Sequence, residues 1–133
     1  RSNSLMVNSR NKGAAGERAV AKLLFDELGI EFKRDLEQYR SADRGDLLCD
    51  VPNWPFVLEV KTYASGTGLK PEWWRQACAA AQLAGLQPVV IYKYNNRPWR
   101  VAMTLSTVFD GASDEVIEMS IPTFALICRE LIN

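Results

Sequence analysis

The strongest constraint on the fold lies between Gly45 and Lys61, where two short apolar runs flank a proline-rich turn. The second run, residues 56–61, consists mainly of β-branched and aromatic residues and predicts a strand. Because the side chains of a strand alternate between its faces, Glu59 and Lys61 share one face and Val60 lies on the other. A carboxylate and an ammonium in an otherwise apolar strand are costly unless they pair or bind something. An edge strand with a solvated Glu/Lys pair is the alternative.

The first run, residues 46–50, predicts a short strand that the turn folds back onto the second. With the turn centred near Asn53, Asp46 comes within about one residue of Glu59 and Lys61. Two carboxylates and a lysine then converge, on a face that depends on a register choice of one residue.

Two helices frame these strands. Residues 14–28 predict the first, ended by Gly29, and its apolar stripe places Glu17 on the core side. A carboxylate there indicates a metal ligand or a partner for arginine or lysine, and a first-turn glutamate favoured by the helix dipole is the alternative. Residues 70–85 predict the second helix, whose buried stripe lies next to Gln76.

The remaining elements complete the fold. Further strands and a last helix are predicted over residues 30–36, 89–94, 99–104 and 121–131. The order helix, three strands, helix, two strands, helix predicts an α/β fold with one central mixed sheet flanked by helices.

The domain organisation is simple. A chain of 133 residues suits one core. Residues 1–5 resemble a cloning remnant, and residues 6–12 are expected to form a basic flexible arm, so residues 13–133 are predicted to form the domain.

The composition excludes several classes of site. The chain has no histidine, which excludes Ser-His-Asp and Cys-His catalysis, histidine-based nucleases and common zinc hydrolases. Its three cysteines are widely spaced and odd in number, which argues against a disulfide framework or a zinc site and favours a reducing cytoplasm. No apolar run reaches the roughly 18 residues of a membrane span, so no membrane partner is expected. Any hydrolysis must use carboxylates, lysine, tyrosine or a hard metal ion.

The charge is balanced overall but unevenly distributed. Residues 61–100 carry six basic side chains and one acidic, and residues 101–133 carry one basic and five acidic. This distribution suits a protein that binds phosphates on one surface, and scattered solvated charges are the alternative. Asp43, in the loop over residues 37–44, is a weaker candidate acid than Asp46, which opens an apolar run. The basic residues expected to contact DNA are Arg10, Lys12, Arg18, Arg40, Arg44, Lys93, Arg97 and Arg100.

The order of these parts resembles a known family. Asp46 and, after a hairpin, Glu59-Val60-Lys61 resemble the PD-(D/E)xK nuclease signature, although Gly45 stands where a proline usually precedes the aspartate. Residues 11–18, NKGAAGER, resemble the start of the archaeal-type and phage Holliday junction resolvases, in which a basic arm leads into a helix with a metal-binding glutamate. The similarity spans about residues 10–101 and implies a restriction-endonuclease-like domain.

The resemblance also implies a reaction. Asp46, Glu59 and the main-chain carbonyl of Val60, with Glu17 as a further candidate, would hold one or two Mg²⁺ ions, and Mn²⁺ would substitute. Lys61 would orient a metal-bound water or neutralise charge on the phosphate.

The same resemblance adds Gln76 to the candidate catalytic residues, because a helix glutamine lies beside the metal site in some relatives; a satisfied buried amide is the alternative. It implies cleavage of four-way or other branched DNA to a 5′-phosphate and a 3′-hydroxyl, by a homodimer in a prokaryotic or phage-infected cell. The open alternatives are a restriction-type or repair endonuclease or nickase on duplex DNA and a catalytically silent DNA-binding module. A small glycosidase that uses Asp46 and Glu59 is a remote third.

Overall fold

The computed structural model describes residues 2–35 and 45–133, with side chains from residue 13 onward. The elements in chain order are α1 Ser2–Leu28, β1 Lys33–Arg34, β2 Leu47–Leu48, β3 Phe56–Tyr63, α2 Pro71–Ala84, β4 Gln87–Tyr94, β5 Arg100–Thr104, α3 Leu105–Val108, β6 Val116–Met119 and α4 Ile121–Ile132. The strands form one sheet in the order β1 to β6, in which β3 and β4 are parallel and the other neighbours antiparallel. The predicted α/β fold with a mixed sheet flanked by helices is confirmed.

The two faces of β3 pack against different helices. Leu58 and Val60 belong to the main core together with residues of α1 and α4. Val57 packs against Ala80 of α2 on the opposite face. Because alternate residues share a face, Glu59 lies on the α2 side of the sheet, opposite Val60 as predicted.

Helix α2 connects the parallel strands β3 and β4, and it confirms the predicted helix. Pro71 lies in its first turn, where the missing N–H has no intrahelical role. Gly85 caps its end with a φ of 70°, a left-handed conformation that glycine adopts at low cost. The small buried side chains of Ala77 and Ala80 let the helix lie close to the sheet.

Several boundaries differ from the prediction. Helix α1 begins at Ser2 instead of residue 14, so the backbone of residues 6–12, for which a flexible arm was predicted, is helical. Gly13 lies inside this helix, and one interior glycine costs only about 1 kcal/mol relative to alanine. Strands β1 and β2 have two residues each and are shorter than predicted, because β1 pairs with β2 at only two positions and β2 pairs with β3 at only one.

The sequence interpretation missed two elements, α3 and β6. Helix α3 has four residues, and β6 is a four-residue strand that pairs with β5 at the far edge of the sheet. Runs this short carry little periodicity from which an element can be predicted. None of the described helices is long and apolar enough to cross a membrane.

Candidate active site

Asp46 is fixed against β3 by two hydrogen bonds. Its main-chain N–H donates to the carbonyl of Leu58 over 2.8 Å, and its Oδ2 accepts from the main-chain N–H of Val60 over 2.6 Å. Leu47, the next residue, pairs with Leu58. These contacts resolve the register that the sequence left open, and they bring Asp46 beside Glu59.

Gly45 allows this close approach. Its φ is 74°, and a Cβ atom there would lie 2.9 Å from both the Leu58 carbonyl oxygen and a Val57 methyl carbon. An L-residue at this position would strain the backbone and push it away from β3. The glycine that replaces the usual proline of the signature is therefore required by the packing of this chain.

Glu59 is a buried carboxyl group with an unused oxygen. Its side chain is 3% exposed, and its Oε2 has no hydrogen-bond partner among the described residues. The pKa of Glu59 is raised to about 8, mainly by burial and also by the charge of Asp46 and the hydrogen bond with it, while the charge of Lys61 lowers it. Asp46 and Glu59 are buried side by side, so a positive charge between them would stabilise their ionised forms.

Lys61 lies on the same face of β3 and is held by α2. Its Nζ donates to Oε1 of Gln76 over 2.8 Å. Because the amide oxygen accepts one of the three ammonium protons, the direction of the lysine side chain is fixed while two protons stay available. The structure thus places Gln76 beside Lys61, and its catalytic role stays a prediction.

Glu17 approaches the same place from α1. Its pKa is raised by burial, lowered by a hydrogen bond with Arg34 and raised by the charge of Asp46. Arg34 Nε donates to Glu17 Oε1 over 2.8 Å, which is the pairing with arginine that the sequence left as one option. A Cβ at Gly16 would lie 2.8 Å from Thr62 Cγ2, so this glycine lets α1 lie close to β3.

The sequence interpretation missed Arg34 and Asp35. Both belong to the predicted first strand, but neither was considered for the site. Arg34 binds Glu17, and the main-chain N–H of Asp35 donates to the carbonyl of Asp46 over 3.0 Å, with the Asp35 side chain buried. Two adjacent charged residues at the end of a short strand were the available signal.

Comparison with known proteins agrees with this geometry. A family model described as "Phage putative PDDEXK endonuclease" matches residues 8–130. The chain belongs to this PDDEXK family. Among solved structures, Hjc of Archaeoglobus fulgidus, a Holliday junction resolvase, is similar at a TM-score of 0.51 and 17% identity, over 86% of this chain and 88% of that chain. That likeness supports the fold alone. None of the curated proteins matches the chain.

The PDDEXK signature residues of this chain fit a hard divalent cation. Asp46 and Glu59 offer carboxylate oxygens, and the unpartnered Oε2 of Glu59 is a buried atom for which a cation would be a partner. The N–H and C=O of one strand residue point to the same edge, so the carbonyl of Val60 faces the side on which its N–H binds Asp46. Among the described residues, no group of three or more His, Cys, Asp or Glu side chains is arranged to hold a metal. Two carboxylate side chains and one carbonyl would suit a cation that keeps several waters.

In this PDDEXK chain, the hairpin formed by β4 and β5 carries basic residues on both faces of the sheet. Arg97 and Arg100 line a cavity of about 280 Å³. Lys93, which pairs with Thr62, lines a different cavity of about 270 Å³ with Gly16 of α1. Arg100 Nε also lies 3.8 Å from Glu118 Oε1, so this carboxylate balances part of the arginine charge.

The other predicted DNA contacts are placed differently. Arg18 is exposed on α1. The structure does not describe the side chains of Arg10 and Lys12, nor any part of Arg40 and Arg44. The weaker candidate acid Asp43 also lies outside the described residues. Contact of any of these basic residues with DNA stays a prediction.

Proposed function

We propose that this PDDEXK nuclease is a Mg²⁺-dependent DNA endonuclease that cuts branched DNA, with the Holliday junction as its main substrate. The observation that carries the proposal is the buried pair Asp46 and Glu59, with the free Oε2 of Glu59, next to a lysine held in place. A cation between the acids would offset their mutual repulsion. Mn²⁺ would replace Mg²⁺ because both accept oxygen ligands.

Asp46, Glu59 and the carbonyl of Val60 are the proposed ligands of the metal. Glu17 is a further candidate, either as a direct ligand or through a bound water, because it lies close enough to Asp46 for their charges to interact. When bound, the metal would lower the pKa of a water molecule and stabilise negative charge on the phosphate. Arg34 holds Glu17 and keeps a positive charge beside the acids.

Lys61 is the proposed positioning group for the reaction. Its ammonium keeps two protons for the attacking water or a phosphate oxygen, while Gln76 fixes its direction. The water oxygen forms a bond with phosphorus as the bond from phosphorus to the 3′ oxygen breaks. The attacking water gives up a proton to solvent and the leaving oxygen takes one from solvent, so the products are a 5′-phosphate and a 3′-hydroxyl.

Branched DNA is the proposed substrate because the fold is similar to that of a Holliday junction resolvase and residues 61–100 carry six basic side chains and one acidic. A resolvase must cut two strands, and two sites related by a two-fold axis meet this need, so we propose a homodimer. Light scattering at micromolar concentration tests this. A monomer that cuts linear duplex as readily as junctions would instead favour the restriction-type or repair nuclease.

The decisive test is cleavage of labelled linear, forked and four-way DNA with Mg²⁺, with Mn²⁺ and with EDTA. We expect metal-dependent cleavage that is fastest on four-way DNA. Asp46→Asn and Glu59→Gln should abolish cleavage and leave DNA binding intact, whereas Asp110→Asn, a change at an exposed acid, should cleave like the wild type. Metal-dependent cleavage by the Asp46→Asn/Glu59→Gln double variant would refute the assignment. Absence of cleavage with either metal, with binding retained, would favour the silent DNA-binding module.

A further inference from the structure

An exposed aromatic ring lies on the same face of β3 as the candidate catalytic residues. Tyr63 follows Glu59 and Lys61 at alternate positions of the strand, so all three side chains point to the α2 side. Tyr63 lies two residues after Lys61 along the strand, so their Cα atoms are roughly 7 Å apart. Tyr63 is 46% exposed, whereas Glu59 is buried. The ring therefore lies beside the candidate site and remains open to a ligand.

The ring of Tyr63 is held in place by its neighbours. Its centroid lies 5.2 Å from that of Trp73, with the two planes inclined by 51°. The ammonium of Lys70 lies over one face of the Tyr63 ring, 4.9 Å from its centroid, and over the Trp73 ring, 5.7 Å from its centroid, so a base would stack on the opposite face of Tyr63. Trp73 is 4% exposed, so it packs in the core beneath the Tyr63 ring. An aromatic ring that is already ordered loses little freedom when a second ring stacks on it.

The chemistry of this position fits a nucleotide. Stacking on an aromatic side chain binds any base, because every base has a π face, and a nearby cation binds the attached phosphate. Lys61 shares the face of β3 with Tyr63, and the ammonium of Lys70 lies over the Tyr63 ring, so two cations are near it. A base in regular duplex DNA already has its faces covered by its neighbours, so the ring is available only to an unstacked base.

We propose that Tyr63 is a specificity-determining residue that stacks on an unpaired base beside the cleavage position, with Lys70 close to its phosphate. The ring would then favour DNA with a branch point over continuous duplex. This inference rests on the proposed function, since it takes the surroundings of Lys61 as the place of the scissile phosphate.

The test is a binding measurement in EDTA, so that it does not depend on cleavage. The probe is a DNA fork with 2-aminopurine at the first unpaired position, compared with a continuous duplex of the same sequence. Tyr63→Phe keeps the ring, and Tyr63→Leu keeps an apolar side chain without a π face. Phe109→Leu is the matched control, because Phe109 is 62% exposed and follows α3. Thr107 of α3 contacts Gln87, which lies at the other end of the β3–β4 pair from Tyr63.

We expect the wild type, Tyr63→Phe and Phe109→Leu to quench the 2-aminopurine fluorescence and to prefer the fork. Tyr63→Leu should lose the quenching and about 5- to 150-fold of its affinity for the fork, the range of one base stacked on an aromatic ring, with duplex affinity unchanged. The inference is overturned if the wild type gives no quenching, or if Tyr63→Leu keeps the preference for the fork. Absence of quenching by the wild type overturns the inference even if Tyr63→Leu fails to fold.

The outcome is separable from that of the proposed function. A protein that shows the Tyr63-dependent preference but cleaves no DNA would keep this inference and remove the proposed function. A protein that cleaves branched DNA without a Tyr63-dependent preference for the fork would keep the proposed function and remove this inference.

Discussion

The main-chain N–H of Val60 donates to Oδ2 of Asp46 over 2.6 Å. This contact fixes the end of one short strand against the edge of the next, and it aims a carboxylate at the place where Glu59 is buried. A one-residue slip would turn the carboxylate to the other face of the sheet. The candidate metal site therefore depends on how closely the backbone at Gly45 approaches β3.

Gly45→Ala should destabilise the protein and lower its activity. The new Cβ would lie 2.9 Å from a main-chain carbonyl oxygen, in a conformation with positive φ. We expect a loss of about 1–3 kcal/mol in the free energy of unfolding, measured by denaturant titration, together with weaker cleavage.

Gly13→Ala is the matched control for that substitution. Gly13 lies within α1 and a Cβ there meets nothing within 4 Å, so alanine should stabilise the protein by up to about 1 kcal/mol. Equal effects of the two substitutions would show that the close approach at Gly45 is unimportant.

Gln76→Ala should slow the chemical step. Without the amide oxygen, Lys61 loses the contact that fixes its direction. We expect a reduction in the single-turnover cleavage rate of about 10- to 100-fold, the range for residues that orient a catalytic group, with DNA affinity unchanged. Gln82→Ala, on the exposed side of the same helix, should cleave at the wild-type rate. If the two variants cleave equally fast, Gln76 has no positioning role.

The stability of the metal-free protein should fall as the pH rises. Burial raises the pKa of Glu59 from 4.5 to about 8, so between these values the folded state binds more protons than the unfolded state. Under that condition the free energy of unfolding decreases with pH, and the loss is complete above about pH 8. Thermal unfolding in EDTA between pH 5 and pH 9 measures this. Glu59→Gln should flatten the dependence, and a wild-type melting temperature that rises through this window would contradict the assignment.

The ion pair of Arg34 and Glu17 should contribute more to stability than an exposed pair. Their side chains are 33% and 12% exposed, and the hydrogen bond is 2.8 Å long. A double-mutant cycle to alanine should give a coupling of about 1–2 kcal/mol. The Lys22–Asp26 pair on the same helix has side chains that are 76% and 53% exposed, and its coupling should be about 0.3–0.5 kcal/mol. Equal coupling in the two pairs would show that burial adds nothing at Glu17.

The central hairpin could be predicted from the sequence because alternation along a strand is a local property. This alternation correctly assigned Glu59 and Lys61 to one face of β3 and Val60 to the other. The register at Asp46 required the structure, because both choices satisfy the same pattern. Arg34 was missed since its role arises from the approach of β1 to α1, which no local pattern reports. Lys93, Arg97 and Arg100 were all expected to contact DNA, but alternation along β4 and β5 places Lys93 and Arg100 on opposite faces.

The most direct test of the account is a titration of the protein with Mn²⁺, followed by the loss of the electron paramagnetic resonance signal of the free ion. The wild type and the exposed-acid control Asp110→Asn should bind Mn²⁺ with equal affinity, and the affinity should rise with pH as Glu59 loses its proton. Asp46→Asn and Glu59→Gln, if folded, should each bind at least about tenfold more weakly, because each removes a carboxylate ligand. Unchanged Mn²⁺ affinity in both variants would contradict the claim that these two acids form the metal site.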